Sequence, residues 1–342
     1  MRAQVLYPPE SRDGKGRETG GNIVALLLRE SDVERLLDMP TALEAVEEVL
    51  RQHGEGRAPN QPRRRVFVPS GVLHIMAGGM PAWSVMGLKT YSAVAGKARF
   101  VVLLFSTETG DLRGIIEADR LGQIRTGAAS GVATKYLARA EASIVGIFGT
   151  GRQARTQLQA VCAVRAIREV RAYSRDPERR QRFCLEMERL LGCAVRPVAA
   201  PGDVVKGVDI VITITSSREP VFDGHLVEPG QHLNLAGSNM AQKREVDDET
   251  IRRADRIVVD QLEDAQIESG DLMTPVARGL TTWERMHELG AVVCGKAPGR
   301  RRAEEVTLFK SNGLAIQDVA VASKVLERAR ALGLGAEVPL CA

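Results

Sequence analysis

The stretch that constrains this chain most is Ser143-Ile144-Val145-Gly146-Ile147-Phe148, an apolar run of strand length that enters Gly149-Thr150-Gly151-Arg152-Gln153-Ala154 and then a helical pattern from Arg155 to Ala163. In a strand-to-helix turn of this kind the first glycine makes the tight bend and the second lets the backbone approach a pyrophosphate. A small third residue, here Ala154, lets helix and strand pack closely. A lone G-x-G-x-x-A is a weak signal, because glycines also make plain turns. Here it opens a βαβ unit, with a second strand at Glu169–Tyr173, and this context predicts a dinucleotide site.

The rest of the second half keeps that rhythm. Asp209–Thr213, His232–Ala236 and Arg256–Asp260 are short buried-type runs separated by helical segments. Such runs predict an α/β fold with a doubly wound parallel Rossmann sheet. The first half reads differently. Pro40 starts a helix over Thr41–Leu50, and β-rich runs follow at Val66–Val68, Val72–Met76 and Phe100–Phe105, bounded by Gly, Pro and Ser-Thr-Glu-Thr-Gly turns. They predict a mostly antiparallel sheet. Thr126–Ala138, rich in small side chains, reads as a close-packed helix, and Gln317–Leu332 reads as one amphipathic helix outside the repeating βα pattern. At 342 residues, two domains are expected.

Several function classes drop out on composition. The 47 basic and 43 acidic residues are interleaved, and a net charge of +4 gives no reason to expect a nucleic-acid partner. No run is long and apolar enough to span a bilayer, and the N-terminus lacks an apolar signal core, so a cytoplasmic chain with no membrane partner is expected. The five cysteines show no C-x-x-C spacing and the five histidines no ligand spacing, so no metal is expected.

The end of the second strand bears on which dinucleotide binds. NAD sites usually offer an acid there to hold the ribose diol, whereas this chain has Ser174-Arg175-Asp176. Serine and arginine suit a 2′-phosphate, which a guanidinium pairs bidentately, so NADP(H) is preferred. The competing reading has Asp176 reach the ribose while Arg175 is solvated, which leaves NAD(H) as the alternative.

Eight pieces in order resemble the ornithine cyclodeaminase and mu-crystallin family. They are Gln61-Pro62-Arg63-Arg64, Gly87-Leu88-Lys89, Arg125-Thr126-Gly127-Ala128-Ala129-Ser130, the glycine loop with Gln153, Thr213-Ile214-Thr215-Ser216-Ser217, Asn234-Leu235-Ala236-Gly237-Ser238-Asn239, Glu268-Ser269-Gly270, and Phe309-Lys310-Ser311-Asn312-Gly313 followed by Gln317-Asp318. The resemblance covers about Asn22 to Leu332. It implies a homodimer in which residues 22–138 with 317–342 form a mixed α+β substrate and dimerisation domain, and 139–316 form the Rossmann domain. Residues 1–21 are expected to be a flexible extension.

The family's shared chemistry is hydride exchange between a nicotinamide and the carbon of an amine or imine next to a carboxylate. By resemblance, Arg64 and Arg125 bind the substrate carboxylate, and Lys89 contacts the substrate and acts as acid or base. Two neighbouring arginines are expected to lower the pKa of Lys89 by repulsion. The expected cofactor set is Gly149, Thr150, Gly151, Arg152, Gln153, Ser174, Arg175, Thr215, Ala236, Gly237, Lys243, Ser311 and Gly313. One departure matters. Where cyclodeaminases and alanine dehydrogenases of the family carry an aspartate, this chain has Asn239, which cannot accept a proton but can orient an imine, an amine or a water. The expected activity is therefore reduction of a C=N bond, in a cyclic ketimine or an imine of a 2-oxo acid with an amine. Ornithine cyclodeamination, amino-acid dehydrogenation, and non-catalytic binding of NADPH with a small ligand are the competing readings.

Overall fold

The computed structural model describes residues 23–340, so the extension expected over residues 1–21 lies outside the described residues. Two sheets carry the chain. The strands of the first half are β1 (Ile23–Leu28), β2 (Arg64–Val68), β3 (Gly71–Met80), β4 (Val85–Val94), β5 (Lys97–Ser106) and β6 (Leu112–Glu117). Then come β7 (Ile144–Phe148), β8 (Glu169–Tyr173), β9 (Ala194–Pro197), β10 (Ile210–Thr213), β11 (His232–Leu235), β12 (Arg256–Val259), β13 (Met286–Glu288) and β14 (Thr307–Lys310), with β15 (Ala336–Leu340) last.

The second sheet is parallel throughout, in the order β13-β12-β14-β11-β10-β7-β8-β9. Its central strands β10 and β11 are buried end to end and β7 in all but its first residue, which is why they read as apolar runs. The strand order reverses between β7 and β10. A doubly wound sheet opens its ligand crevice at the carboxyl ends of the strands at such a point, and the glycine loop following β7 lies there.

The first sheet runs β15-β1-β6-β5-β4-β3-β2 and is antiparallel except where β1 pairs with β6. One face is covered by the helix Ala315–Leu332. Glycines make room for it: Gly78 pairs with Gly87 across β3 and β4, and a Cβ on Gly78 would come within 2.6 Å of the Ile316 side chain. This close seat brings Gln317 and Asp318, in the first turn of that helix, down onto β4 beside Lys89. The opposite face is open and mostly apolar. Val66, Val68, Leu73, Ile75, Met86 and Val94 share it by strand parity, and each is 38–52 % exposed. Among the described residues, no helix is long and apolar enough to cross a membrane, and no group of three or more His, Cys, Asp or Glu is placed to hold a metal.

Candidate active site

A cleft of about 280 Å³ separates the inner face of β3–β5 from the carboxyl ends of β7, β11 and β14. The helix Asp119–Leu137 forms another wall. Of the residues expected at the site, Lys89, Arg125, Arg152, Gln153, Ala236, Gly237, Asn239, Ser311 and Gly313 line this cleft.

Lys89 is buried, and its Nζ donates to Asp318 Oδ1 at 2.8 Å. The same oxygen accepts from Arg125 Nε at 3.0 Å, while Arg125 Nη1 donates to Gln317 Oε1 at 3.2 Å. Burial pushes the Lys89 ammonium down to about 8, Asp318 opposes that fall, and Arg125 and Arg63 add to it. Repulsion from two arginines, the cause expected from the sequence, is therefore a secondary contributor behind desolvation. Gly313, at φ +84, packs against Arg125: a Cβ there would lie 2.5 Å from Nη1. Asp260 fixes that turn by accepting from the Ser311 hydroxyl and the Asn312 and Gly313 amides.

Arg64 is not in the cleft. Side chains alternate across a strand, and Arg64 pairs with Ile75 on the open face, whereas Arg65 pairs with the buried His74 on the inner face. It is Arg63 that enters the cleft, where it is 5 % exposed. Its Nη2 donates to the Asn312 carbonyl at 2.8 Å and its Nη1 to the Tyr91 hydroxyl at 3.4 Å. Glu268 anchors both inward arginines, accepting from Arg65 Nη2 at 2.5 Å and lying 3.7 Å from Arg63. Glu268, the last residue of the helix Leu262–Glu268, thus holds both arginines in place without lining the cleft itself. Arg65 also donates to the backbone carbonyl of Asn239 at 3.1 Å.

Beyond Lys89 the wall is apolar and aromatic. His74, Tyr91 and Phe100 sit opposite one another on three adjacent strands and stack, with centroids 4.1 Å and 4.9 Å apart. Burial and the charges of Arg63 and Arg65 push His74 down to about 4, so this ring is neutral at neutral pH. Met76 completes the wall. Asp119, which also lines the cleft, is paired with Arg152 at 2.5 Å.

The dinucleotide features fit the ligand. Gly149 takes φ +107, and a Cβ there would collide with the Ile214 carbonyl, so the turn requires glycine. Gly151 caps the helix Arg152–Val164, whose first amide groups face the loop. Thr150 Oγ1 donates to Ser174 Oγ at 3.0 Å, which ties the glycine loop to the end of β8. Ser174, Arg175, Thr215 and Lys243 do not line the cleft. Both the amide and the hydroxyl of Thr215 donate to Glu245 Oε1 at 2.7 Å. Buried Glu245, which the motif reading missed, also accepts from Thr213 and the Gly237 amide, and so clamps the loops after β10 and β11 together.

A model of the ornithine cyclodeaminase/mu-crystallin family matches residues 23–333. The chain belongs to that family. Delta(1)-pyrroline-2-carboxylate reductase of Bacillus cereus is 38% identical over 239 residues, which is 70% of this chain and 73% of that protein. The structure of the Thermococcus litoralis Delta(1)-pyrroline-2-carboxylate reductase, in complex with NADH and L-proline, is similar at a TM-score of 0.88 and 36% identity, covering 92% of this chain and 100% of that one. A dimer of archaeal alanine dehydrogenase with bound NAD is similar at a TM-score of 0.88 and 34% identity, covering 93% and 99%.

Proposed function

We propose that this member of the ornithine cyclodeaminase and mu-crystallin family is an NAD(P)H-dependent reductase of a C=N bond adjacent to a carboxylate. Its substrate is a cyclic ketimine or an imine formed from a 2-oxo acid and an amine. The observation that carries the reading is the buried Lys89, held on Asp318 between Arg125 and Arg63, in a cleft where Asn239 stands in place of an acid. The glycine loop, Ser311 and Gly313 would hold the dinucleotide, which when bound supplies the hydride. Arg63 and Arg125 bind and orient the substrate carboxylate, the first in the place assigned to Arg64 from the motif. Lys89 in its ammonium form is the proton donor to the imine nitrogen, and the stacked wall of His74, Tyr91 and Phe100 shields the reacting bond from water. With an amide in place of a carboxylate at position 239, that position can neither accept a proton from a substrate ammonium nor offer it a full negative charge, which disfavours ornithine cyclodeamination.

A donor that must be protonated fails when it loses its proton. In the reductive direction kcat/KM is therefore expected to be flat below about pH 8 and to fall as pH rises through that value, where Lys89 of the free enzyme becomes neutral. A profile of kcat/KM against pH with no alkaline limb below about pH 10 would remove Lys89 as the donor.

NADP(H) is the preferred cofactor. Asp176, the one acid that competes for the ribose, accepts from the Arg179 amide at 3.0 Å as the N-cap of the helix Pro177–Leu191, which leaves Ser174 and Arg175 to meet a 2′-phosphate. NAD(H), bound in both solved relatives above, is the competing cofactor.

The open face of β2–β4 supports a homodimer, since it gathers six large hydrophobic side chains, each 38–52 % exposed, on one surface, and contiguous apolar patches mark interfaces. Leu73→Asp is expected to convert a dimer into a monomer at micromolar concentration, because a carboxylate would be buried unpaired at the centre of the face. Light scattering after size exclusion checks it, and an unchanged mass would place the interface elsewhere.

A further inference from the structure

Resting on the NADP(H) reading above, we propose that Arg179 is a second specificity-determining residue, forming with Arg175 a two-guanidinium clamp for the 2′-phosphate of the dinucleotide.

The first turn and a half after β8 carries four arginines, and the structure divides them by what they already hold. Arg180 is committed: its Nη1 donates to the Ser174 carbonyl at 2.7 Å, and its guanidinium lies 5.3 Å from the Tyr173 ring. It braces the loop. Arg182 faces Glu178 at 3.6 Å, one turn apart on the helix. Arg175 and Arg179 make no side-chain hydrogen bond or ion pair among the described residues, and both are exposed.

Arg179 is nonetheless directed somewhere definite. Gly151, the second glycine of the loop, has a single neighbour within 4 Å of where a Cβ would stand, and that neighbour is Arg179 Nη2 at 3.8 Å. The side chain therefore crosses from the helix Pro177–Leu191 to the glycine loop. That loop is tied to the end of β8 by the Thr150 and Ser174 hydroxyls, which are joined at 3.0 Å. On this rim the donors converge and the acids are spent: Asp176 caps the helix and Glu178 faces Arg182. A phosphate monoester is close to a dianion at neutral pH and accepts forked, charge-assisted bonds from more than one guanidinium. The positive end of the 15-residue helix adds to the attraction. An uncharged ribose hydroxyl draws little from the same groups.

The bond that caps the helix comes from the backbone amide of Arg179, so replacing the side chain leaves the cap in place. The test is titration of NADPH, NADH and adenosine 2′,5′-bisphosphate into the full-length wild type, Arg179→Ala, Arg179→Lys and Arg175→Ala. Wild type is expected to favour NADPH. Arg179→Ala is expected to lower the NADPH-to-NADH affinity ratio by about tenfold or more, with a parallel loss for the bisphosphate, and Arg179→Lys is expected to recover part of it. Wild type favouring NADPH with a ratio unmoved by Arg179→Ala would overturn the clamp and leave the NADP(H) reading standing. Equal losses for both dinucleotides would also overturn it, assigning Arg179 to the glycine loop itself. A wild type that favours NADH would sink the NADP(H) reading, and the clamp with it.

Discussion

Lys89→Met is expected to lower kcat for imine reduction by about a thousandfold, within the range that a positioned proton donor contributes. Methionine keeps the length and apolar contacts of the stem but supplies neither charge nor proton. Asp318 retains Arg125 as its partner at 3.0 Å, so the fold should survive. The split between parameters is diagnostic. Binding of the dinucleotide, measured by fluorescence, should remain close to wild type, because Lys89 sits on β4, across the cleft from the glycine loop. A variant that retains more than a tenth of wild-type kcat would show that water or another group delivers the proton.

Asp318→Asn is expected to have the second largest effect, with two signatures. Asp318 Oδ1 is shared by Lys89 and Arg125, while Oδ2 has no partner among the described residues, so an amide fits the space. It takes away the charge that opposes the fall of the Lys89 pKa. The ammonium should then be lost at a lower pH, and the alkaline limb of kcat/KM should move to the acid side of about pH 8. Leaving two buried cations without a counterion should also cost roughly 3–5 kcal/mol of stability, read by denaturant unfolding. A variant with an unshifted limb and full stability would show that Asp318 is not what holds these groups.

Much of the parallel sheet was legible from sequence because its central strands are buried on both faces. β7, β10, β11 and β12 fall within one residue of the apolar runs that predicted them, and β8, whose burial alternates, matches the short run at Glu169–Tyr173. The strands that went unread lack that signature. β9 is an edge strand with half its residues exposed, and β14 ends in Lys310, a buried lysine satisfied by Asp271 at 3.0 Å and the Ser238 carbonyl at 2.6 Å. No local pattern announces such a partner. The helix Asp119–Leu137 begins seven residues before the predicted start because Asp119-Arg120-Leu121-Gly122-Gln123 reads as polar, broken chain.

At the site the residue types were legible and their directions were not. Three consecutive arginines give no clue to parity; only the pairing of Arg65 with His74 turns Arg63 inward and Arg64 out. Lys89 stood out by its motif. Its partner Asp318 follows it by 229 positions, and their contact depends on the glycine seat beneath the helix Ala315–Leu332. Glu245 and Glu268 act through loops that meet only in the folded chain.

The central claim is tested most directly by following NADPH and NADH absorbance with purified protein while adding 1-pyrroline-2-carboxylate, 1-piperideine-2-carboxylate, or pyruvate with methylamine. The same protein is assayed in parallel for ammonia release from ornithine. Reductive consumption of the dinucleotide with a cyclic or acyclic imino acid, and no ammonia from ornithine, is the predicted result. Proline and ammonia from ornithine with no net change in dinucleotide, and no reduction of any imine, would contradict it.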